Sequence, residues 1–480
     1  MQNDWDGFRN ELDNESLGSY DNYANNNIAS YESANSEDFD DDDWSNYPDG
    51  FEDNGWLNYS TETVENSLIS NQKYKKKNKK RGCLTAIIVF FAIIFTLLAM
   101  WGAFYAVIRY IDYRQDAQEK ATYEVLPFPV VTLDDEDLAG NFYYNLLETD
   151  EKRTVYKEIA QGLKDKDDSI LLHFNDEQLA YAIFIYVTND YPEIFWGGEE
   201  VMIEKRGENY PYLLLRLKFA NDTETIEKRE EEVEMAATEI LSGISPDASN
   251  YDKALYVYET VVKTVDYERG VPDSQNMYSA IVNKVSVCAG YAKMTQYLLK
   301  RLGIQCIYVT GISAGEAHAW NIVKVDDKYY HMDTTWGDPV FASTEGGESA
   351  IPEGYVNYDY FCVNDEQISR NHVVDISYPF PACTSLEANF YVVNGMYFEE
   401  YDREIILNMM NNRVTSKKNP TVVKFPTTEI YEAHREEIIN DLVQKAANTL
   451  MNFYGMHEVN YIYFEDSEAC ETVVYWDYGN

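Results

Sequence analysis

The hydrophobic positions of this chain fall into one long uninterrupted run and a series of shorter, periodic segments. Residues 83–108 form an apolar run without a charged side chain. A helix needs about 20 such residues to cross the hydrocarbon layer of a membrane, whereas the apolar region of a signal peptide has only about 7–15. The run therefore predicts one transmembrane helix.

Charged residues beside this run predict its orientation. Residues 73–82 form a basic juxtamembrane segment, in which seven lysines and arginines lie between Lys73 and Arg81 without an acidic residue. Cytoplasmic flanks of membrane helices carry such an excess of positive charge. We therefore expect a single-pass type II protein of the cell membrane, with its N-terminus in the cytoplasm and residues 109–480 outside the cell.

The first 72 residues have neither helical nor strand periodicity, and they are rich in Asn, Asp, Ser and Glu. Such a segment cannot bury enough apolar surface to offset its ordering entropy, so we predict a disordered acidic tail at 1–72. The whole chain has 83 acidic and 39 basic residues and a formal net charge of -44. Because this charge repels phosphate backbones, it argues against nucleic acid as a partner.

Mixed helical and strand patterns follow an extracellular stalk at 109–140. Apolar residues at helical spacing predict helices at Asn175–Asn189, behind an Asn cap, and at Thr223–Leu241 and Tyr251–Val265. The segment Tyr210–Phe219 predicts a strand. These patterns indicate an α+β fold for the outer part of the chain.

We place the main domain at 141–385 and a small C-terminal α/β appendage at 386–480. In the appendage the sequence predicts a strand in NFYVVNGMYF, a helix in REIILNMMNN and further strands in TVVKFP and NYIYF. It contains no recognisable chemical motif. Any chemistry is therefore expected in the main domain.

Cys288 stands at the head of a predicted helix. Ala289–Leu302 has its apolar residues on one side, and Gly303 provides the C-terminal cap. The positive end of the helix dipole favours the thiolate form of a cysteine at this position. Cys288 is therefore a candidate nucleophile.

Strand patterns after this helix bring a histidine and an aspartate into reach of each other. Three segments read as strands, namely Gln305–Gly311, His318–Val325 and Lys328–Thr334. A short polar turn between the last two sets Val325 opposite Lys328, which places His318 and Asp333 on one face as diagonal neighbours.

Nucleophile, base and orienting carboxylate are the components of a thiol catalytic triad. Taken singly, a cysteine is more often a small buried hydrophobe and a histidine a packed core residue. Because Cys288, His318 and Asp333 occur in this order and placement, the combination favours catalysis over packing.

Four linked motifs within 285–340 carry a resemblance to a known family. They are C-A-G-Y-A, G-I-x-C-x-x-V-x-G, H-A-W-N and Y-x-x-D-x-T-W-x-D-P. Together they resemble the transglutaminase-like superfamily, particularly its bacterial members, and weaker similarity extends from about 190 to 375. Residue by residue, Cys288, His318 and Asp333 match the catalytic residues of that family.

The resemblance implies a papain-like fold, in which a helix bearing the cysteine packs on an antiparallel sheet bearing the histidine and aspartate. It implies a cysteine-dependent acyltransferase, peptidase or amidase that acts through a thioester on protein or peptide amides, with the cell envelope as the expected source of substrates. We find no calcium-binding loop and expect no cofactor or metal. The alternative is a non-catalytic envelope binding or structural module that keeps the fold.

Residues near the triad leave several roles open. Besides the backbone N–H of Cys288, the sequence offers three candidates for a second oxyanion donor: Gln275, Asn276 and Tyr278. We expect Trp320 and Trp336 to line the site, although a role as plain core aromatics explains them equally well. Neither His331 nor His372 receives a role.

Cysteines outside the apolar run are too sparse for a disulfide scaffold. Those other than Cys288 are Cys306, Cys362, Cys383 and Cys470, which allow three full pairings. We expect Cys306 to be a buried free thiol in a core strand. A bond between Cys383 and Cys470 would tie the appendage to the main domain.

The predicted topology can be tested with epitopes at the two ends of the chain. Because the positive flank precedes the apolar run, protease added to intact cells should remove a C-terminal epitope and spare an N-terminal one. Permeabilised cells, in which both epitopes should be digested, provide the control. The opposite pattern in intact cells would overturn both the orientation and the extracellular location.

Overall fold

The computed structural model describes residues 100–114, 128–197, 200–205, 212–338 and 355–479. The chain divides into two units, Met1–Val125 and Leu126–Asn480. In the first unit, residues 100–114 form a helix with exposed side chains. No helix within the described ranges has the length and apolar character needed to span a membrane. The predicted tail, the basic segment and residues 83–99 of the predicted span lie outside those ranges.

Helices and strands of the second unit are numbered in chain order. The α-helices are α1 Asp135–Leu138, α2 Phe142–Asn145, α3 Asp150–Lys164, α4 Glu177–Asp190, α5 Thr223–Leu241, α6 Asn250–Thr264, α7 Cys288–Arg301, α8 Asp365–Ile368, α9 Phe390–Val393, α10 Arg403–Thr415, α11 Thr428–Glu437 and α12 Gln444–Tyr454. The strands are β1 Ser169–Leu172, β2 Glu200–Lys205, β3 Leu213–Lys218, β4 Asp266–Tyr267, β5 Val285–Ser286, β6 Cys306–Ser313, β7 Glu316–Val325, β8 Lys328–Met332, β9 Phe361–Val363, β10 His372–Val374, β11 Thr421–Lys424, β12 Tyr461–Asp466 and β13 Glu471–Trp476. Short π-helical turns occupy Ser279–Asn283 and Ile438–Val443, and a 3₁₀ turn occupies Tyr358–Tyr360.

A five-stranded antiparallel sheet, in the order β10-β6-β7-β8-β9, forms the centre of the second unit. Val325 pairs with Lys328 and Asn321 with Met332, so the predicted hairpin register is confirmed. Strand β8 ends at Met332, however, one residue before Asp333. Asp333 therefore begins the turn that follows the sheet, instead of continuing the ladder opposite β7.

Both faces of the central sheet are buried. On one face, Val323 and Val325 share a hydrophobic cluster with Leu298 of α7. On the other face, Trp320 and Ile322 pack in a second cluster with residues of α3 and α4. Alternate residues of β7 thus face opposite helical layers, as the two-residue period of a strand requires. The sheet is fixed from both sides.

The C-terminal sheet, in the order β11-β13-β12, is continuous with this core. Val422 and Val473 belong to the same hydrophobic cluster as α7, while Val423 and Val474 pack towards α10 and α12. A buried Lys424 joins the two parts further, since its ammonium donates to Asp359 (2.6 Å), Glu471 (2.8 Å) and the Ala469 carbonyl (2.9 Å). All three of its N–H donors have acceptors, as a buried charge requires.

Sequence periodicity located most of the elements near the site. The helix Thr223–Leu241 is observed as predicted, Asn250–Thr264 is shifted by one residue, and α7 begins at Cys288 with Gly303 at φ +77° after its end. The cap of α4 differs from the prediction, because Asp176 rather than Asn175 accepts the N–H of Leu179.

One strand predicted in the C-terminal appendage is wrong. The apolar residues of NFYVVNGMYF include a short helix, Phe390–Val393, instead of a continuous strand. Asn389 explains the difference, because its side chain accepts the backbone N–H groups of Tyr391 and Val392 and so caps a helix start. The helical segments between Thr428 and Tyr454 were not predicted.

No disulfide links the cysteines within the described ranges. Cys288, Cys306, Cys362, Cys383 and Cys470 are all free. The Cys383–Cys470 bond considered from the sequence is therefore not formed, and the expectation of Cys306 as a buried free thiol is confirmed. Apolar packing and the Lys424 contacts, instead of a disulfide, connect the C-terminal sheet to the core.

Gly311 allows β10 to approach the sheet, and its replacement should weaken this edge. A Cβ at Gly311 would lie 2.2 Å from the Val373 carbonyl oxygen and 2.7 Å from the Trp320 ring. We expect Gly311→Ala to cost about 1–3 kcal/mol, measured by thermal and urea unfolding of residues 126–480. Gly140→Ala, where no atom lies within 4 Å of the added Cβ, is the matched control. Equal stability of the two variants would contradict the close approach.

Candidate active site

Cys288 is the first residue of α7, and the backbone before it leaves the helix head without a side-chain cap. Val287 is the N-cap residue, with extended backbone, and its apolar side chain accepts no hydrogen bond from the helix. The first N–H groups of a helix lack intrahelical acceptors. The helix head therefore offers N–H donors beside a partly exposed thiol.

A neighbouring loop holds this helix head in place. The carbonyl oxygen of Ser274 accepts the backbone N–H of Val287 (3.2 Å) and the hydroxyl of Ser286 (2.6 Å). Two residues further into α7, a Cβ at Gly290 would lie 1.9 Å from Ser286 Oγ and 2.8 Å from the Asn276 carbonyl oxygen. Glycine in the C-A-G-Y-A motif is thus explained by the close approach of residues 274–276 to the head of α7.

His318 connects Cys288 with Asp333. Its Nε2 lies 2.6 Å from Asp333 Oδ2, and the side chains are 6% and 1% exposed. The thiol of Cys288 also interacts with His318 and contributes to the raised pKa of its imidazole. Because Nε2 is engaged by the carboxylate, Nδ1 is the ring nitrogen left for the sulfur. The three side chains predicted from the sequence therefore lie together, with His318 bonded to Asp333 and interacting with Cys288.

The carboxylate of Asp333 is held by backbone N–H groups of the turn that Asp333 begins. Oδ1 accepts the N–H groups of Thr335 (2.8 Å) and Trp336 (3.1 Å), while the Asp333 N–H donates to the Tyr360 carbonyl (2.9 Å). This turn exists because β8 ends before Asp333. It directs Oδ2 towards the imidazole of His318.

A second histidine contacts the same carboxylate, and the sequence analysis gave it no role. His372 Nε2 lies 2.9 Å from Asp333 Oδ2, and the His372 side chain is 0% exposed. Strand β10 delivers it, because His372 pairs with Ser313 at the outer edge of the sheet. In the sequence, only its position pointed to His372. It is the last residue of YFCVNDEQISRNH, a segment that resembles the family less clearly than the four linked motifs do. Pairing between strands so far apart cannot be read from local periodicity.

Charges in the site are set by burial and by these contacts. Burial by itself would lower the pKa of His318, but the Asp333 carboxylate and the interaction with Cys288 outweigh it and raise the pKa to about 10. Burial would raise the pKa of Asp333, yet His318 and His372 lower it well below its ordinary value. Burial lowers the pKa of His372, although its bond with Asp333 opposes this shift. These shifts favour the charged forms of His318 and Asp333 and the uncharged form of His372.

Both tryptophans expected near the site lie there. Trp320 stacks against His318, with ring centroids 5.8 Å apart, and is also a core residue. Its Nε1–H donates to His331 Nδ1 (3.0 Å), so it connects the site to the next strand. Trp336 packs edge-on against His372 at 5.8 Å. The two interpretations, wall of the site and core aromatic, therefore both apply to Trp320.

Of the three candidates for the second oxyanion donor, two have other partners. Tyr278 donates its hydroxyl to Glu232 (2.6 Å), and the Asn276 amide donates to the carbonyl of Phe195 and to Asp273. Gln275 is exposed in the loop that packs against the head of α7. Gln275 therefore stays a candidate by its position in the chain alone.

Two groups of side chains within the described ranges have the donor types of a metal site. The first is His318, Asp333 and His372. Hydrogen bonds already satisfy this carboxylate, since Oδ1 accepts two backbone N–H groups and Oδ2 faces two imidazoles. The carboxylate therefore already has hydrogen-bond donors at both of its oxygens.

The second group is His331, Asp365 and Cys383. Here Trp320 donates to His331 Nδ1, so the remaining proton of a neutral His331 resides on Nε2, which lies 2.9 Å from Asp365 Oδ1. A nitrogen that carries a proton cannot bind a metal. His331 is thus a structural link between Trp320 and Asp365.

Comparison with known proteins agrees with this architecture. Residues 235–334, which include Cys288, His318 and Asp333, match the model of the transglutaminase-like superfamily, so the resemblance is confirmed for this part of the chain. The second unit therefore contains a transglutaminase-like core. No curated protein matches the chain.

Two solved structures are similar to parts of the chain. A TGase crystal structure has 12% identity and a TM-score of 0.22, over 42% of this chain and 66% of its own. A protein of Cytophaga hutchinsonii described as a candidate cysteine protease has 14% identity and a TM-score of 0.20, over 39% of this chain and 79% of its own. The chain thus spans slightly less than two thirds of that TGase.

The paired charges of His318 and Asp333 predict a pH dependence of stability. The pKa of His318 is raised to about 10, so its contribution is complete below its ordinary pKa of about 6.5 and is lost as pH rises through 10. The pKa of Asp333 is lowered, so its contribution is present above about 3.9 and is lost as pH falls below that value. The pair stabilises the fold most between about pH 4 and 6.5.

We expect the unfolding free energy of the parent to fall more steeply between pH 6.5 and 10 than that of His318→Gln, which cannot gain a proton. Urea unfolding of residues 126–480 at intervals of pH measures this difference. His457→Gln, at an exposed histidine outside the site, is the control and should follow the parent. Parallel curves for the parent and His318→Gln would show that His318 carries no extra proton in the folded state.

Proposed function

We propose that this chain is a membrane-anchored thiol enzyme that transfers or hydrolyses acyl groups at protein or peptide amides through a thioester on Cys288. One observation carries the proposal: the imidazole of His318 hydrogen-bonds with the buried Asp333 carboxylate through Nε2 and also interacts with the Cys288 thiol. A packing histidine does not need a helix-head thiol on one ring nitrogen and a buried carboxylate on the other. A nucleophile with its base needs both.

In the proposed first step, the Cys288 thiolate attacks the carbonyl carbon of an amide, and the carbonyl oxygen becomes an oxyanion. N–H groups at the head of α7 would stabilise that charge. As the carbon–nitrogen bond breaks, the imidazolium of His318 gives its proton to the departing amine. The products of this step are a free amine, a neutral imidazole and an acyl thioester on Cys288.

The second step returns the enzyme to its starting state. His318, now neutral, accepts a proton from water or from an amine acceptor as the acceptor attacks the thioester. The carbon–sulfur bond breaks and the thiolate of Cys288 leaves. Water gives a carboxylic acid, and an amine gives a new amide. Asp333 orients His318 in both steps and stabilises its charged form.

The substrate class follows from the surroundings of the thiol. Tyr267 interacts with Cys288, and the guanidinium of Arg269 pairs with Glu316 at 2.6 Å in a largely exposed contact. This polar border, open to solvent, suits a peptide segment better than a small apolar molecule. The predicted span at 83–108 would anchor the chain in the cell membrane and present the site to proteins of the cell envelope.

A non-catalytic binding module with the same fold is the alternative. The two functions differ in the reactivity of Cys288, because a binding module has no use for a thiolate–imidazolium pair. Iodoacetamide distinguishes them, since it alkylates the thiolate form. The other described cysteines are buried, so Cys288 should dominate the labelling.

We expect Cys288 to react with iodoacetamide at neutral pH faster than an ordinary free thiol, and Cys288→Ala to abolish both this labelling and thioester formation. His318→Ala should reduce acyl transfer by at least about 10²-fold, because neither a base nor an acid remains. Asp333→Asn should cost less than the roughly 10⁴-fold loss of an orienter in a serine enzyme, since a thiolate depends less on its base.

The measurements are alkylation rates across pH and release of amine from peptide amides, with His457→Ala as a matched histidine control. A parent profile that rises only above about pH 8 and is unmoved by His318→Ala would exclude the ion pair. In that case the binding module replaces the enzyme.

A further inference from the structure

His372 is the most enclosed titratable side chain in the site that the proposed chemistry does not use. Its side chain is 0% exposed. Aromatic rings surround it, with centroids at 5.1 Å for Trp320, 5.8 Å for Trp336 and 5.7 Å for Tyr360. It has no exposed face from which to contact a substrate, so any role must act through Asp333.

Hydrogen bonding fixes what His372 offers to Asp333. An ionised carboxylate only accepts hydrogen bonds, so Nε2 of His372 carries the proton in the 2.9 Å contact with Oδ2. On the other side of the ring, Nδ1 lies 2.7 Å from Asn371 Oδ1, and the Asn371 side-chain N–H donates to the Tyr360 hydroxyl. An uncharged ring with its proton on Nε2 requires this amide to be turned, so that its N–H meets Nδ1 and its oxygen accepts from the Tyr360 hydroxyl. In either orientation the ring lies between Asn371 and the Asp333 carboxylate.

The two histidines contribute differently to the shared carboxylate. His318 and His372 have ring centroids only 5.2 Å apart, so two imidazolium charges would repel each other. His318 faces Cys288, whereas His372 faces Asn371, Tyr360 and, further away, His331. The charge therefore belongs on His318, beside the thiol, and His372 supplies an uncharged donor.

We propose that His372 is a positioning residue that fixes Asp333 Oδ2 against His318 and so holds the imidazolium of His318 at the Cys288 sulfur. Of the four donors on this carboxylate, two are backbone N–H groups on Oδ1 and one is the histidine that must react. His372 is the donor that restrains Oδ2 while His318 gives and takes its proton. This inference rests on the roles proposed for Cys288, His318 and Asp333.

Two substitutions separate the hydrogen bond from the volume of the ring. His372→Phe keeps an aromatic ring among Trp320, Trp336 and Tyr360 but removes the donor to Asp333. His372→Gln is smaller, yet its side-chain N–H can occupy the position of Nε2. His331→Phe is the matched control, because His331 is equally buried against Trp320 but pairs with Asp365 instead of Asp333.

The readout is the rate of Cys288 alkylation by iodoacetamide from pH 5 to 10, with thermal unfolding of each variant alongside. At pH 7 we expect His372→Phe to react about tenfold more slowly than the parent, because less of the thiolate is held by His318. Near pH 10 the difference should vanish, since the thiol then ionises without its partner. His372→Gln and His331→Phe should keep the parent profile, even if their unfolding temperatures fall.

A profile of His372→Phe that coincides with the parent would overturn the proposal. So would equal loss in His372→Gln and His372→Phe, or a loss that persists at pH 10, because either marks a general effect of packing. Failure of the enzyme proposal looks different: the parent profile would then not respond to His318→Ala. If the alkylation profile depends on His318 but not on His372, the proposed triad stands and only the positioning role of His372 is excluded.

Discussion

A single buried carboxylate organises this site. Asp333 accepts two backbone N–H groups on Oδ1 and contacts two imidazoles through Oδ2, so every lone pair faces a donor. Burying a charge is expensive unless it is paired and hydrogen-bonded, and here both conditions are met. Because the carboxylate cannot move without losing one of these contacts, it fixes His318, and through His318 the environment of the Cys288 thiol.

The rest of the fold serves to bring these groups together. Helix α7 presents the thiol, β7 presents His318, and the end of β8 places Asp333 in a turn. Helical layers bury both faces of the sheet, so the relative positions of these elements are set by packing. The site is therefore as rigid as the core around it, while the thiol remains partly exposed to an incoming substrate.

The C-terminal sheet is connected to Asp333 through two successive polar contacts. Lys424 of β11 pairs with Asp359, whose neighbour Tyr360 accepts the backbone N–H of Asp333. Val422 and Val473 also pack in the central hydrophobic cluster, which joins the C-terminal sheet to the core. Chain beyond the central sheet, which carries no catalytic motif of its own, thereby supports the turn that holds Asp333.

The sequence by itself determined the local features: α7 with Cys288 at its head, the β7–β8 register and the candidate triad follow from periodicities of a few residues and from linked motifs. The prediction of a membrane span at 83–108 also rests on the sequence alone. Only the tertiary structure placed His372 on Asp333, because β10 joins β6 across some 60 residues of chain. Tertiary contacts also ended β8 before Asp333 and left Cys383 and Cys470 apart as free thiols. Local patterns encode which face of an element is apolar, whereas distant strand pairing depends on the packing of the whole core.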